Sequence, residues 1–140
     1  MKRYLKFSFF TLLLLLTALI LIACSPSMGS IEQRLEELEQ ADLLAYQRTP
    51  KSQRDELIED LDDDYDVKLS GGIPKIYVAD SYNEDRTEYK NATVIEFEKA
   101  ADAKSVEKAL KDTLDEGLIL RRKGKLLFMG NAEMIDLSLD

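Results

Sequence analysis

The last third of the chain changes its hydrophobic period several times, and these changes constrain the fold more than any other feature. Residues 92–98 are rich in β-branched and aromatic side chains, which predicts a strand. In residues 100–115 apolar side chains recur every three or four positions, which predicts an amphipathic helix. Two apolar runs within 118–129 flank Lys123-Gly124, a pair that favours a two-residue hairpin turn. A strand, a helix and a hairpin in this order indicate an α+β fold with a largely antiparallel sheet.

The same spacings predict which side chains form the core. Ile95 and Phe97 lie on one face of their strand, because side chains alternate along a strand with a period of two. Val106 and Leu110 lie on one face of the helix. We expect these two faces to pack against each other, with Phe128 of the hairpin in the same core.

Two helices are expected ahead of the sheet. Ser30 and Gln33 have the spacing of a capping box, so the first helix is predicted to begin there and to run to about Gln47. Thr49-Pro50 favours the start of a second helix. Several carboxylates at the end of this second helix oppose its dipole and favour fraying. A hairpin is then predicted over residues 67–78.

Together these patterns predict a single α+β domain over residues 31–140. It consists of two N-terminal helices followed by a largely antiparallel sheet, which ends in the strand–helix–hairpin unit. The element order over 92–138 is similar to one half of a ferredoxin-like fold, by analogy of order alone. Asn131 is placed to cap a closing short helix over 132–137.

An acidic cluster lies at the end of the second helix, with Asp60, Asp62, Asp64 and Asp66 at every second position. Calcium loops have this alternation, but an EF-hand also needs Gly at its sixth position and Glu at its twelfth. Neither register of the cluster meets that requirement. The cluster is therefore predicted to be a solvated helix end, with the four aspartates as weak calcium candidates in the alternative, and no cofactor is expected.

A basic cluster spans Arg121–Lys125 in the predicted hairpin. Its side chains either pair with acidic neighbours or face an anionic polymer or lipid headgroup. Tyr77, Tyr82 and Tyr89 follow one another through a strand and its loop. Tyrosine is enriched at protein interfaces, but strand tyrosines are also common half-buried core residues.

The N-terminus has the features of an export signal. Three basic side chains precede Phe7–Ala23, which contains no charged residue, and the run ends in Leu21-Ile22-Ala23-Cys24. These last four residues resemble the lipobox of bacterial lipoproteins. The resemblance implies a signal peptide over 1–23, a diacylglyceryl group on the sulfur of Cys24 and a flexible tether over 24–30. An uncleaved membrane helix is the alternative interpretation.

Composition narrows the function classes. The chain has 140 residues, no His and one Cys, so the usual general base and an internal disulfide are both absent. Its net charge is −8, which disfavours nucleic-acid binding. Residues 1–23 hold three basic and no acidic side chains, so their removal changes the net charge to −11. Acyl chains, and not a basic patch, are therefore expected to hold the protein on the membrane.

The sequence thus predicts a small lipid-anchored lipoprotein on the extracytoplasmic side of the cell membrane. We expect a non-enzymatic interaction module with an envelope protein as its partner. The alternative is a ligand or calcium binder that uses the acidic segment 60–66 or the basic hairpin 121–125.

Overall fold

A computed structural model of the chain describes residues 26–82 and 87–140. In these two ranges the chain forms four helices and five strands. In chain order they are α1 (Met28–Gln40), β1 (Ala45–Arg48), α2 (Lys51–Tyr65), β2 (Lys75–Tyr82), β3 (Tyr89–Glu96), α3 (Ala100–Leu110), β4 (Leu118–Lys123), β5 (Leu126–Asn131) and α4 (Ala132–Leu139). The predicted α+β class with an antiparallel sheet is confirmed.

The five strands form one sheet in the order β1-β2-β3-β5-β4, and every neighbouring pair is antiparallel. β5 lies between β3 and β4, so Leu127 has Ile95 on one side and Arg122 on the other. Because α3 connects β3 to β4 across β5, these four elements form a split β–α–β unit.

Helices cover both faces of the sheet. The first core lies under α1 and α4 and contains Met28, Ile31, Leu35, Leu38, Leu44, Tyr77, Ala79, Ala92, Val94, Leu126, Phe128, Met134 and Ile135. The second core lies under α2 and α3 and contains Leu61, Val67, Ile73, Ile76, Ile95, Phe97, Ala103, Val106 and Leu127. Adjacent strand residues enter opposite cores, as the period of two requires.

The predicted packing of the C-terminal unit is correct on β3 and wrong on β5. Ile95, Phe97 and Val106 share the second core, and Leu110 packs at its edge. Phe128 instead lies in the first core. It is paired with Val94 across the strands, whereas Leu127 is the residue opposite Ile95, and this register sends Phe128 to the other face.

Helix α1 begins earlier than predicted. Ser27 is its N-cap: the Ser27 hydroxyl accepts a 3.2 Å hydrogen bond from the backbone N–H of Ser30, and the Ser30 hydroxyl accepts one from the N–H of Ser27. The capping box is therefore formed by Ser27 and Ser30, and not by Ser30 and Gln33. Met28 is only 3% exposed, so residues 28–30, expected to be tether, belong to the domain. Cys24 lies outside the described residues.

Helix α1 also ends earlier, at Gln40 instead of about Gln47. Asp42 has a left-handed φ of 59°, and the N–H of Leu43 bonds back to the carbonyl of Leu38 at 3.0 Å, which closes the helix. The following residues form β1 at the edge of the sheet, beside β2. The prediction of two consecutive N-terminal helices is therefore wrong, because a strand separates them.

The hairpin predicted over 67–78 is not formed. Residues 67–74 run without regular structure across the end of the second core, and β2 pairs with β3 instead. The tip of that longer hairpin, 83–86, lies outside the described residues. Helix α2 continues through the acidic cluster to Tyr65 and ends at Asp66, which has a left-handed φ of 53°.

Three smaller boundaries shift in the C-terminal unit. Helix α3 ends at Leu110 and not at 115, and a turn follows it. The β4–β5 turn is Gly124-Lys125, one residue later than predicted, with Gly124 at a φ of 58°. Asn131 precedes α4, but its side-chain oxygen accepts the N–H of Asn91 at 2.8 Å and does not cap the helix.

Candidate functional site

A groove opens between the C-terminal half of α2 and the connection from α3 to β4. Its volume is about 430 Å³. Most of the lining is apolar, and three aspartates share it. The lining residues are Leu57, Asp60, Leu61, Asp64, Tyr65, Leu110, Thr113, Leu114, Asp115, Leu118 and Met129. We call this concavity the α2–α3 groove.

The groove stays open because α2 covers the sheet incompletely. Leu61 is the only residue of this helix that is fully buried, and Leu57 and Ile58 are half-buried. On the opposite wall, α3 has ended at Leu110, and the connection that follows forms the rest of that wall. Several apolar side chains thus keep partial solvent exposure, and Tyr65 is 39% exposed at the edge.

Aspartates from both walls form the polar part of the groove. Asp60 and Asp64 are four residues apart and lie on one side of α2, because a helix completes a turn in 3.6 residues. Asp115 lies on the opposite wall. In the described ranges, none of these three carboxylates makes a side-chain hydrogen bond or an ion pair.

The helix separates the four aspartates that the sequence offered as weak calcium candidates. Asp62 points away from the groove pair and lies 3.8 Å from the ammonium group of Lys68. Asp66 is the C-cap. Within 26–82 and 87–140, no group of three or more acidic side chains is arranged to hold a metal ion. Every second residue of a helix is rotated by about 200° around its axis. Aspartates at this spacing therefore point to opposite sides of α2, whereas in a calcium loop the same spacing would bring them together.

The basic hairpin is largely paired with acidic residues. Arg121 forms an ion pair with Asp136 of α4. Arg122 Nε lies 2.8 Å from the Glu107 carboxylate on α3. Lys125 Nζ lies 3.2 Å from a carboxylate oxygen of Glu96. Of the two interpretations of this cluster, pairing with acidic neighbours is the one observed for these three residues.

A second concavity has the opposite charge. It has a volume of about 400 Å³ and lies beside α3, lined by Lys104, Glu107, Lys108, Lys111 and Leu120. The three lysines are exposed, and no ion pair is formed by them with any described residue. Their spacing is that of an ordinary solvated helix face, which is why the sequence alone did not single them out.

The three tyrosines do not form one surface. Tyr77 is buried in the first core, and in the described part of the chain its hydroxyl has no partner within hydrogen-bond geometry. Burial and the nearby Glu32 carboxylate raise the pKa of Tyr77 to about 12. Tyr82 and Tyr89 are exposed at the end of the β2–β3 hairpin, with ring centroids 5.1 Å apart. The Tyr89 hydroxyl donates to Asp80.

The sequence did not reveal a buried carboxylate that binds the irregular segment 67–74 beside the second core. Asp102, on the first turn of α3, is 5% exposed. It accepts hydrogen bonds from the Ser70 N–H at 3.0 Å, the Ser70 hydroxyl at 2.9 Å and the Gly71 N–H at 2.9 Å. Burial raises the pKa of Asp102, but these bonds and the charge of Lys99 outweigh it and hold the pKa below its usual range. Asp102 therefore positions segment 67–74.

Among the described residues, no helix is long and apolar enough to span a bilayer. Comparison of the chain with models of protein families, with curated proteins and with solved structures found no match in any of the three.

Proposed function

We propose that the protein is a lipid-anchored, non-enzymatic interaction module, tethered through Cys24 on the extracytoplasmic side of the cell membrane. The α2–α3 groove is the surface that binds its partner. The observation that carries this proposal is an apolar concavity whose aspartates have no partner among the described residues. Binding sites are typically concave and mostly apolar, with a small number of polar groups that orient the bound molecule.

The lining of the groove defines the chemistry of the partner. Its leucines and Met129 favour apolar side chains, because burying apolar surface is worth about 25 cal/mol per Å². Asp60, Asp64 and Asp115 favour Lys or Arg beside those apolar groups. The occupant is therefore an amphipathic segment of another protein, with apolar residues on one side and basic residues at its edges. Charge complementarity of this kind contributes mainly specificity and association rate.

A designed probe tests the chemistry of the groove. The probe is a fluorescent amphipathic helix of Leu and Lys, and its binding is followed by anisotropy. Asp60→Lys with Asp64→Lys places two cations in the groove, so we expect at least a tenfold loss of affinity. Glu59→Lys with Asp63→Lys is the matched control: it changes the same charge, at the same spacing and on the same helix, at residues that do not line the groove.

Equal losses from the two double variants would show non-specific attraction to an acidic protein and would refute the groove. A photo-crosslinker at Tyr65 then identifies the native partner in intact membranes, with the exposed Tyr82 as the control position. A partner captured from position 65, whose capture Asp60→Lys with Asp64→Lys abolishes, supports the proposal.

A further inference from the structure

We propose that the domain stands on the membrane with the β4–β5 turn at the lipid surface, where its lysines contact anionic headgroups, and with the α2–α3 groove at the opposite, outward end. This orientation rests on the proposed lipid anchor at Cys24. Beyond that anchor, the proposal adds a membrane contact by the β4–β5 turn. It also requires that the partner bind from the side of the domain that faces away from the membrane.

The start of α1 and the β4–β5 turn lie at the same end of the sheet. A carboxylate oxygen of Glu32, on the second turn of α1, is 3.5 Å from Nζ of Lys75, the first residue of β2. Lys75 is opposite Glu96, Glu96 is opposite Leu126, and Leu126 is opposite Lys123. The row from Lys75 to Lys123 thus marks the end of the sheet that the chain enters from its N-terminal side. We call it the tether end.

The chain between the anchor and the domain is very short. Ser25, Pro26 and Ser27 are the only residues between Cys24 and Met28, the first residue of α1. Since an extended chain spans at most about 3.6 Å per residue, Met28 lies at most about 14 Å from the lipid-bearing residue. The polar zone of one leaflet is itself about 5–8 Å thick. The tether end therefore stays within reach of the headgroups.

The charge of the tether end differs from that of the whole protein. The lysines at this end are Lys75, Lys99, Lys123 and Lys125, and the carboxylates beside them are Glu32, Glu96, Glu98 and Asp102. These charges balance, whereas the whole chain has a net charge of −8. Lys123 is exposed, and in the described part of the chain its side chain has no ion-pair partner. An anionic lipid surface therefore repels the acidic remainder of the protein more than this end, and the ammonium group of Lys123 is available to contact a headgroup.

The α2–α3 groove lies toward the other end. Leu118, which lines it, is the first residue of β4 and is opposite Asn131 at the end of β5. Strand β4 has six residues at about 3.3 Å each, which places Leu118 roughly 16–20 Å from the β4–β5 turn. The partner segment must therefore either extend outward from a membrane protein or belong to a protein that lies outside the membrane, on the same side as the domain.

The test uses the full-length lipidated protein in vesicles that contain nitroxide-labelled headgroups. A fluorophore is attached through Lys123→Cys at the tether end or through Asp112→Cys, which follows the C-terminal end of α3. Vesicles are either zwitterionic or contain anionic phosphatidylglycerol. We expect several-fold stronger quenching at position 123 than at 112, and stronger quenching in the anionic vesicles. Equal quenching at both positions overturns the orientation.

A charge variant tests the headgroup contact. Lys125→Glu, made in the Lys123→Cys protein, should reduce quenching in anionic vesicles, whereas Lys104→Glu on α3 should not. Quenching that is indifferent to Lys125→Glu overturns the contact with anionic headgroups. Mass spectrometry of the same samples reports on Cys24 independently. An unmodified Cys24 refutes the anchor itself, while a lipidated Cys24 with equal quenching refutes the orientation alone.

Discussion

At the scale of single residues, two positions determine how the backbone closes around the sheet. Asp102 collects three hydrogen bonds from Ser70 and Gly71 and so fixes the irregular segment on α3. Gly130 lies where β3 and β5 approach so closely that a Cβ atom would be 2.3 Å from the carbonyl oxygen of Asn91. Neither role follows from a local pattern, because each partner lies about 30 or more residues away in the chain.

Asp102→Ala should destabilise the fold by about 1–3 kcal/mol, because it leaves shielded donors of segment 67–74 without their acceptor. The folded pKa of Asp102 is lowered, so its contribution is fully present above the ordinary value of 3.8 and is lost as the pH falls through the folded pKa. Urea midpoints measured from pH 7 downward should converge for the variant and the parent. The exposed Asp112→Ala is the control, and a stability gap that does not change with pH would contradict this role.

Gly130→Ala should be severely destabilising, whereas Gly124→Ala should be mild. Gly130 combines a φ of 147° with the close contact to Asn91. Gly124 has a φ of 58° and no atom within 4 Å of its would-be Cβ, so only the left-handed strain of about 1–2 kcal/mol applies. Thermal melts of the two variants compare the cost of the steric clash at position 130 with the cost of the left-handed backbone at position 124. Similar losses would show that β3 and β5 separate to accommodate a methyl group.

At the scale of elements, the helices differ in how firmly they are held. Helix α1 buries Met28, Ile31, Leu35 and Leu38, while α2 buries Leu61 alone. A helix with little buried apolar surface depends on the weak cooperativity of its own hydrogen bonds. The element that forms one wall of the groove is therefore the least anchored helix of the second core.

Hydrogen exchange should report this difference. Amides of α2 are expected to exchange through local opening, well before those of α1, because few side-chain contacts oppose the opening. A bound Leu/Lys helix should slow exchange in α2 and leave α1 unchanged. Equal protection of the two helices in the free protein would contradict the assignment.

Met28→Ala should cost about 2–5 kcal/mol, since the side chain is fully enclosed in the first core. The neighbouring Gly29→Ala is the control: its added Cβ meets only the Ser27 hydroxyl at 3.9 Å, so it should be neutral or slightly stabilising. Denaturant midpoints of the two variants distinguish a helix start from a tether. If Met28→Ala left the stability unchanged, residue 28 would belong to the flexible tether and not to the helix.

At the scale of the whole molecule, one sheet is shared by two cores. Phe97 and Phe128 are both 0% exposed, but they lie on opposite faces. Every central strand contributes side chains to both cores, so the loss of either core removes support from the same backbone ladder. The two layers are therefore expected to unfold together.

Phe97→Ala and Phe128→Ala should each cost about 3–5 kcal/mol, against a total of about 5–15 kcal/mol for a domain. Each variant should keep a single transition in which far-UV circular dichroism and tyrosine fluorescence coincide. Tyr77 is buried in the first core, whereas Tyr65, Tyr82 and Tyr89 are exposed, so the fluorescence change on unfolding reports mainly on Tyr77. Asp63→Ala on the solvent side of α2 is the control, with little effect expected. Separate transitions for the two probes would show that the cores fold independently.

Local sequence patterns were sufficient to predict most elements of the C-terminal half. The β-branched and aromatic runs predicted β3, β4 and β5, the spacing of Val106 and Leu110 predicted α3, and together they indicated the α+β class. The lipobox resemblance also rests on the sequence alone, as Cys24 lies outside the described residues. These are properties of neighbouring residues, and hydrophobic periods record them directly.

Contacts between distant segments determine which elements pack against each other. Ala45–Arg48 is mostly exposed and becomes a strand because β2 offers it an open edge. Phe128 enters the first core because its register with Val94 places it there. Asp60 and Asp64 become part of a groove because the segment that contains Asp115, more than fifty residues later in the chain, forms its other wall. Strand pairing and helix docking join distant segments, and no local pattern specifies the partner.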